Sequence, residues 1–244
     1  PPRSTLFPYT TLFRSYGCGP CHDMVGFVEN SKPSKLVGAD ISQTSLHEGG
    51  KRLQLHASDG VELLHLDADS AELQFEDGTF DYIHSSGVLH HIEEHKMLKI
   101  IKEFNRILKD DGTIRIMVYN YSSVWLHLNA AYKLKVVNRM HDKSLEDVFR
   151  ISTDTRFCPI SRCYRPEEFI SMCNSAGFDT KLLGCAVSLA EMKLLPERFV
   201  AIQDKELPEE HRQFLLDLKF DAYGRPVYKG EVAGLDAVYE LRKR

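Results

Sequence analysis

Between residues 35 and 119 short apolar runs alternate with amphipathic stretches, and that alternation restricts the fold more than any other feature. Lys35–Asp40, Val61–Leu66, Phe80–Ser86 and Thr113–Tyr119 are short, rich in Val, Ile and Leu and bounded by turn residues, which predicts strands. Asp77-Gly78 supplies one such turn. Glu93–Leu108 carries Met97, Leu98, Ile101, Phe104, Ile107 and Leu108 at helical spacing. Ser42–His56 reads as a second helix, with Ser42 placed to accept from its first turn. Strands separated by helices close a parallel sheet through right-handed crossovers, so an α/β fold is expected.

Beyond this block, residues 121–163 read as an inserted helical segment. Arg165–Ala176 is a predicted helix stopped by Gly177. Phe178–Ser188 follows as a strand, and Glu191–Phe220 as helix broken at Pro196 and Pro208. Ala233–Leu241 is a final strand. A short helix is expected near His22–Asn30.

Charge and composition remove several function classes. Lys and Arg number 31 against 35 Asp and Glu, a net of −4, which argues against a phosphate-tracking nucleic-acid binder. No run of about 18 apolar residues is present, so no membrane-inserted helix is expected. Six cysteines among 244 residues are too sparse for a disulfide scaffold and predict a reducing cytoplasm. No sequence feature speaks to oligomeric state.

Residues 1–15, P-P-R-S-T-L-F-P-Y-T-T-L-F-R-S, resemble the in-frame translation of a high-throughput sequencing adapter over their whole length. They are expected to be an adapter artefact that truncates or replaces the first strand.

Four pieces carry candidate chemistry. Gly17-Cys18-Gly19-Pro20-Cys21 is a glycine-rich turn through which backbone amides can approach a ligand. Asp40 closes a predicted strand about twenty residues later, where a carboxylate accepts a ribose diol. Asp69-Ser70-Ala71 follows the next strand and could read an adenine edge; Asp67 is the alternative acid. Ser85-Ser86-Gly87-Val88-Leu89-His90-His91 ends the strand after that. In an open parallel sheet all four lie beyond the carboxyl ends of adjacent strands, where ligands bind.

The run L-D-A-D-S-A-E-L-Q-F-E-D-G-T-F-D-Y-I-H-S-S-G-V-L-H-H-I from Leu66, followed by F-N-R-I-L-K-D-D-G-T-I-R-I-M-V-Y, resembles class I S-adenosylmethionine-dependent methyltransferases. It is similar to the small-molecule group that includes quinone-biosynthesis C-methyltransferases. The resemblance spans 17–120 and continues more loosely through 158–188. It implies a Rossmann-like, mostly parallel seven-stranded sheet with helices on both faces. It implies a cofactor-binding core at 16–120 and a helical lid at 121–163. Residues 164–244 would complete the same domain, with a further insertion at 189–230. The implied cofactor is S-adenosyl-L-methionine. Gly17, Cys18 and Gly19 would cradle its methionine part, Asp40 the ribose, Ile41 the adenine face, Asp69 the adenine amino group with Ser70 and Ala71 beside it, and Ser86 the methionine end. The implied reaction is O- or C-methylation of a small-molecule acceptor, with His91 as the base. Tyr119, Tyr121 and Trp125 are candidates for the acceptor pocket.

Three departures stand out. Ser15 occupies the place of the family's usual acid before the first glycine, Cys21 takes the place of the third glycine, and the strand leading into Gly17 consists of adapter-like residues. Gly87 and His90 stand where related enzymes carry metal-binding carboxylates, so no metal is expected. Other readings are a nicotinamide-dependent oxidoreductase, sharing the glycine turn and Asp40 but lacking the third glycine, and a non-catalytic or truncated methyltransferase-like protein. Cys18-Gly19-Pro20-Cys21 also spells a thioredoxin-type dithiol, which would leave the Asp69–His91 block unexplained.

Overall fold

The computed structural model describes residues 12–56 and 60–244; most of the adapter-like stretch, residues 1–11, lies outside them. The first elements are β1 (Leu12–Tyr16), α1 (His22–Asn30), β2 (Lys35–Asp40), α2 (Gln43–Leu55), β3 (Val61–His65) and β4 (Phe80–Ser86). After a 3₁₀ turn at Leu89–His91 come α3 (Glu94–Ile107) and the long β5 (Leu108–Asn120). The first insertion holds a wide, π-type helix at Trp125–Val137 and α4 (Leu145–Asp154). Then follow β6 (Cys163–Tyr164), α5 (Pro166–Ser175) and β7 (Phe178–Ala186). The second insertion holds α6 (Leu189–Leu194), α7 (Arg198–Gln203), α8 (Glu209–Asp217) and strands β8 (Lys219–Phe220), β9 (Pro226–Tyr228) and β10 (Glu231–Val232); β11 (Asp236–Lys243) ends the fold.

The main sheet runs β3-β2-β1-β4-β5-β11-β7, with two-residue β6 also pairing β5. Pairings among β3, β2, β1, β4 and β5 are parallel, and β11 is antiparallel to both β5 and β7. This is a doubly wound, Rossmann-like α/β architecture. The seven expected strands are all present, and β6 adds an eighth. Two expectations change. Lys219–Phe220 is strand rather than helix, because it pairs with β9 in a separate three-stranded antiparallel sheet. The strand expected at Thr113–Tyr119 is longer: β5 already begins at Leu108, and the register with β4 slips between Phe80 and Tyr82 to absorb the extra residues.

Period-two alternation divides the strand residues between two helical layers. Phe13, Leu36 and Tyr82 pack with Met24 of α1 and Leu53 of α2. Val37, Ile83, Ile114 and Leu241 face the other way, onto Met97, Ile101 and Phe104 of α3 and Phe169 of α5. Each large aliphatic or aromatic residue so buried contributes about 1.5–3 kcal/mol. Ser42 accepts from Ser45 N at 3.2 Å and starts α2 as expected. Gly49 in that helix leaves room for Cys21, whose Sγ would lie 2.5 Å from a Cβ placed there.

One residue breaks the pattern. In register, Val37, Arg14, Ile83, Ile114 and Leu241 form a row across five strands. Arg14 is fully buried, and none of its three guanidinium nitrogens has a hydrogen-bond partner among the described residues. Its Cζ lies 4.6 Å from the centre of the Phe75 ring, with Tyr16 and Phe80 also near. Burial pulls its pKa down to about 10. Ring contacts recover part of the cost of burying an unpaired charge, on the order of 2 kcal/mol for a desolvated cation over a ring.

Candidate active site

In the order β3-β2-β1-β4, β1 connects to β2 on one side while β4 pairs on the other, so a crevice opens above the carboxyl ends of β1 and β4. The turn after β1 is built from left-handed residues: Gly17 at φ 69°, Gly19 at φ 50° and Cys21 at φ 64°. At Gly17 a Cβ would strike Val88 at 2.2 Å, so only glycine allows this approach to the end of β4. The Gly17 and Cys18 amides both donate to Ala39 O, at 2.8 and 3.0 Å, which ties the turn to β2.

Asp40 is the hinge of the arrangement. One carboxylate oxygen accepts from Gly19 N and the other from Ser42 N, each at 2.8 Å. A carboxylate has about four acceptor directions, so each oxygen keeps one for a hydroxyl donor. Ile41 beside it is 58% exposed, an apolar face offered to solvent. Gly19 opens on empty space, with nothing within 4 Å of a Cβ position. A carboxylate, an exposed aliphatic face and an open glycine turn fit a ribose diol and a flat base.

The loop after β3 is shaped by Asp67, whose Oδ1 accepts from Asp69 N at 2.9 Å. Asp67 is thus used to close the loop, and Asp69 is exposed; Ser70 and Ala71 are half-buried beside it. Lys96 of α3 donates to Ala68 O and anchors the loop from below. Ser86 ends β4 opposite Met117, and Gly87 follows at φ 73°. All the expected cofactor residues therefore stand at the carboxyl ends of β1 to β4.

Cys18 and Cys21 face each other as thiols, Cys18 donating, which holds the Cys21 thiol below and the Cys18 thiol above the usual range. Both thiols also reach toward Gly19 O.

The two histidines after β4 differ. His90 is fully buried, stacked 3.7 Å from the Tyr119 ring, and burial together with neighbouring His91 pushes its pKa down to about 3. It is a neutral packing group. His91 places Nδ1 at 2.8 Å from Ile160 O, and that contact requires an N–H on Nδ1, so Nε2 is the nitrogen left free to exchange a proton. Nε2 lies 3.8 Å from Asp154 Oδ1. Asp154 also accepts from Tyr119 Oη at 2.8 Å and Ser161 Oγ at 2.5 Å. Cys158 Sγ lies 3.4 Å from His91 Nδ1 and donates to Ile160 O at 3.1 Å. Sequence reading missed Asp154 and Ser161, because they come from the insertion about sixty residues away and have no telling spacing.

A cavity of about 1040 Å³ opens on the α3 and α5 side rather than over the glycine turn. Tyr121, Leu126, Phe149 and Tyr164 line it, and Ser161 connects its wall to Asp154. Of the three expected acceptor aromatics, Tyr121 is in this wall; Tyr119 binds Asp154, and Trp125 donates to Thr153 Oγ1 at 2.9 Å. Tyr121 and Arg165 both bind Glu210 of α8, joining the two insertions across the cavity rim.

Residues 15–112 match the family model of a methyltransferase domain. Over 98 residues the chain is 31% identical to the demethylmenaquinone methyltransferase of Bacillus cereus (strain ATCC 10987 / NRS 248), covering 40% of each chain. The chain thus spans about two fifths of the length of that relative. In fold it is similar to the YcgJ protein of Bacillus subtilis, with a TM-score of 0.62 at 14% identity over 99% of this chain and 96% of that one. It is also similar to Haemonchus contortus phosphoethanolamine N-methyltransferase 2 in complex with S-adenosyl-L-methionine, with a TM-score of 0.59 at 17% identity over 97% of this chain and 49% of that one.

Proposed function

We propose that residues 15–112, which match a methyltransferase domain, bind S-adenosylmethionine in the class I manner and that the chain methylates a small-molecule acceptor at oxygen or carbon. The observation that carries the reading is Asp40, held by Gly19 N and Ser42 N at the mouth of the β1–β4 crevice. S-adenosylmethionine supplies a sulfonium methyl group that is already activated toward a nucleophile. Gly17, Cys18 and Gly19 would hold its methionine part through backbone atoms, with Ser86 at that end. Asp40 would take the ribose, Ile41 the adenine face and Asp69 the amino group, with Ser70 and Ala71 beside it.

The protein's task is then alignment of acceptor and methyl carbon, which can supply about 7–11 kcal/mol. The insertions 121–163 and 189–230 form a lid that excludes water and selects the acceptor. His91, through Nε2, takes the acceptor proton where one must leave. The name of the Bacillus cereus relative favours a quinone-type ring among acceptors. Calorimetric titration of S-adenosylhomocysteine into the folded chain tests the reading. Micromolar binding that NAD does not displace supports it; a folded chain that binds NAD instead refutes it.

A further inference from the structure

We propose that His91, Asp154 and Cys158 form a binding site for a divalent transition-metal ion of the zinc class, bridging the end of β4 and the first insertion. One ligand atom from each of the three lies within 4.8 Å of the others. In a tetrahedral zinc site such atoms stand about 3–4 Å apart, so an ion need draw them together by only about an ångström. Imidazole, carboxylate and thiolate are together a set that suits zinc or cobalt rather than magnesium or calcium.

The hydrogen bonds around the three residues carry the argument further. A ligating imidazole characteristically donates its other N–H to a carbonyl, and His91 Nδ1 does so to Ile160 at 2.8 Å. A ligating carboxylate is characteristically held by further donors, and Asp154 is held by Tyr119 and Ser161. The other ring nitrogen, Nε2, faces an Asp154 carboxylate oxygen at 3.8 Å, too far for a direct hydrogen bond and a span that a shared cation would bridge. Three protein ligands leave a fourth position for water or another small oxygen donor. Loading releases the Cys158 proton to solvent, so uptake weakens as pH falls. The sequence expectation of no metal rested on Gly87 and His90 and on the want of a second cysteine pair beside Cys158 and Cys163; here Cys158 is joined instead by a histidine and a carboxylate.

An occupied site would also withdraw the His91 lone pair from proton acceptance, so metal would inhibit turnover and a chelator restore it. That consequence rests on the methyl-transfer reading; the binding itself does not. The test is titration of the full chain, reduced with a phosphine, by Co²⁺ followed by Zn²⁺ displacement. One equivalent of cobalt should produce a thiolate-to-metal absorption band, lost in Cys158→Ser and retained in Cys18→Ser/Cys21→Ser. Asp154→Asn, a second variant of independent folding behaviour, should weaken uptake at least tenfold. Tyr119→Phe, which removes only a donor to the carboxylate, should weaken it about 10–100-fold. No band in the unaltered chain, a band that survives Cys158→Ser, loss of the band in Cys18→Ser/Cys21→Ser, or undiminished uptake by Asp154→Asn would each overturn the site. Zinc inhibition has no weight in that decision, so failure of the metal site and failure of the methyltransferase reading are read separately.

Discussion

β1 and β4 are adjacent parallel strands at the centre of one sheet, yet they fit it very differently. At matched register β4 presents Ile83, fully buried among Val37, Ile114 and the side chains of α3. β1 presents Arg14 to the same layer, equally buried and without a hydrogen-bond partner among the described residues. Pairing geometry is therefore satisfied by almost any residue in an extended segment, whereas the packed layer is selective. Backbone hydrogen bonds admit the strand; side-chain chemistry reveals the misfit.

The largest effects should come from altering the two matched positions, with opposite signs. Ile83→Ala leaves a cavity and should cost about 2–5 kcal/mol in denaturant unfolding. Arg14→Val should stabilise by about 2–4 kcal/mol, since replacing a buried unsatisfied charge by an apolar residue removes its desolvation cost. Loss of stability in Arg14→Val would show that the ring contacts around the guanidinium outweigh burial, and the contrast between the strands would fail. The folded-state pKa of about 10 lies below the unfolded 12.5, so the unfolded chain binds more protons between these values. Arg14 therefore makes stability rise with pH across that window, and Arg14→Val should lack this contribution.

Next in size is the link between the turn after β1 and the end of β2. Asp40→Ala should weaken S-adenosylhomocysteine binding by about 1.5–3 kcal/mol, the scale of hydrogen bonds to a charged group. Calorimetry checks it, and unchanged affinity would remove Asp40 from the cofactor site. A smaller effect is expected past the end of β4. His90 has a folded pKa of about 3, below its unfolded value, so as pH falls below about 6.5 only the unfolded chain takes up the proton. Stability should fall by about 1.4 kcal/mol per pH unit from this group, or about 2 kcal/mol by pH 5. His90→Phe should flatten that slope in chemical denaturation at pH 5 to 7. An unchanged slope would assign acid sensitivity to the other buried pair, His127 and His211, whose pKa values are also lowered by burial.

The strands from Lys35 to Tyr119 were legible because each is a local apolar run between turn residues, and Asp40 was legible because it ends one. The helix at Glu94–Ile107 followed from spacing alone. The small sheet of β8, β9 and β10 was hidden, since two- and three-residue strands carry no period to read. Asp154 was hidden for another reason: it meets His91 through the tertiary packing of the first insertion, where Phe149 also sits edge-on to Tyr119, and no local pattern encodes that. The same distinction governs Arg14. Its residue type was visible, but its burial depends on Val37 and Ile83 arriving on either side.

β11 lies between β5 and β7, although it follows both in the chain. Protein synthesis delivers residues 178–186 well before 236–243, so β7 emerges with its pairing partner still unmade. The sheet can grow from β1 to β5 as those segments leave the ribosome, but its last two members must join together at the end. Until then β5 exposes an open edge to the cellular milieu, next to the half-made helical segments that follow it. A pause or cleavage before residue 236 would leave an aggregation-prone intermediate rather than a slightly smaller domain.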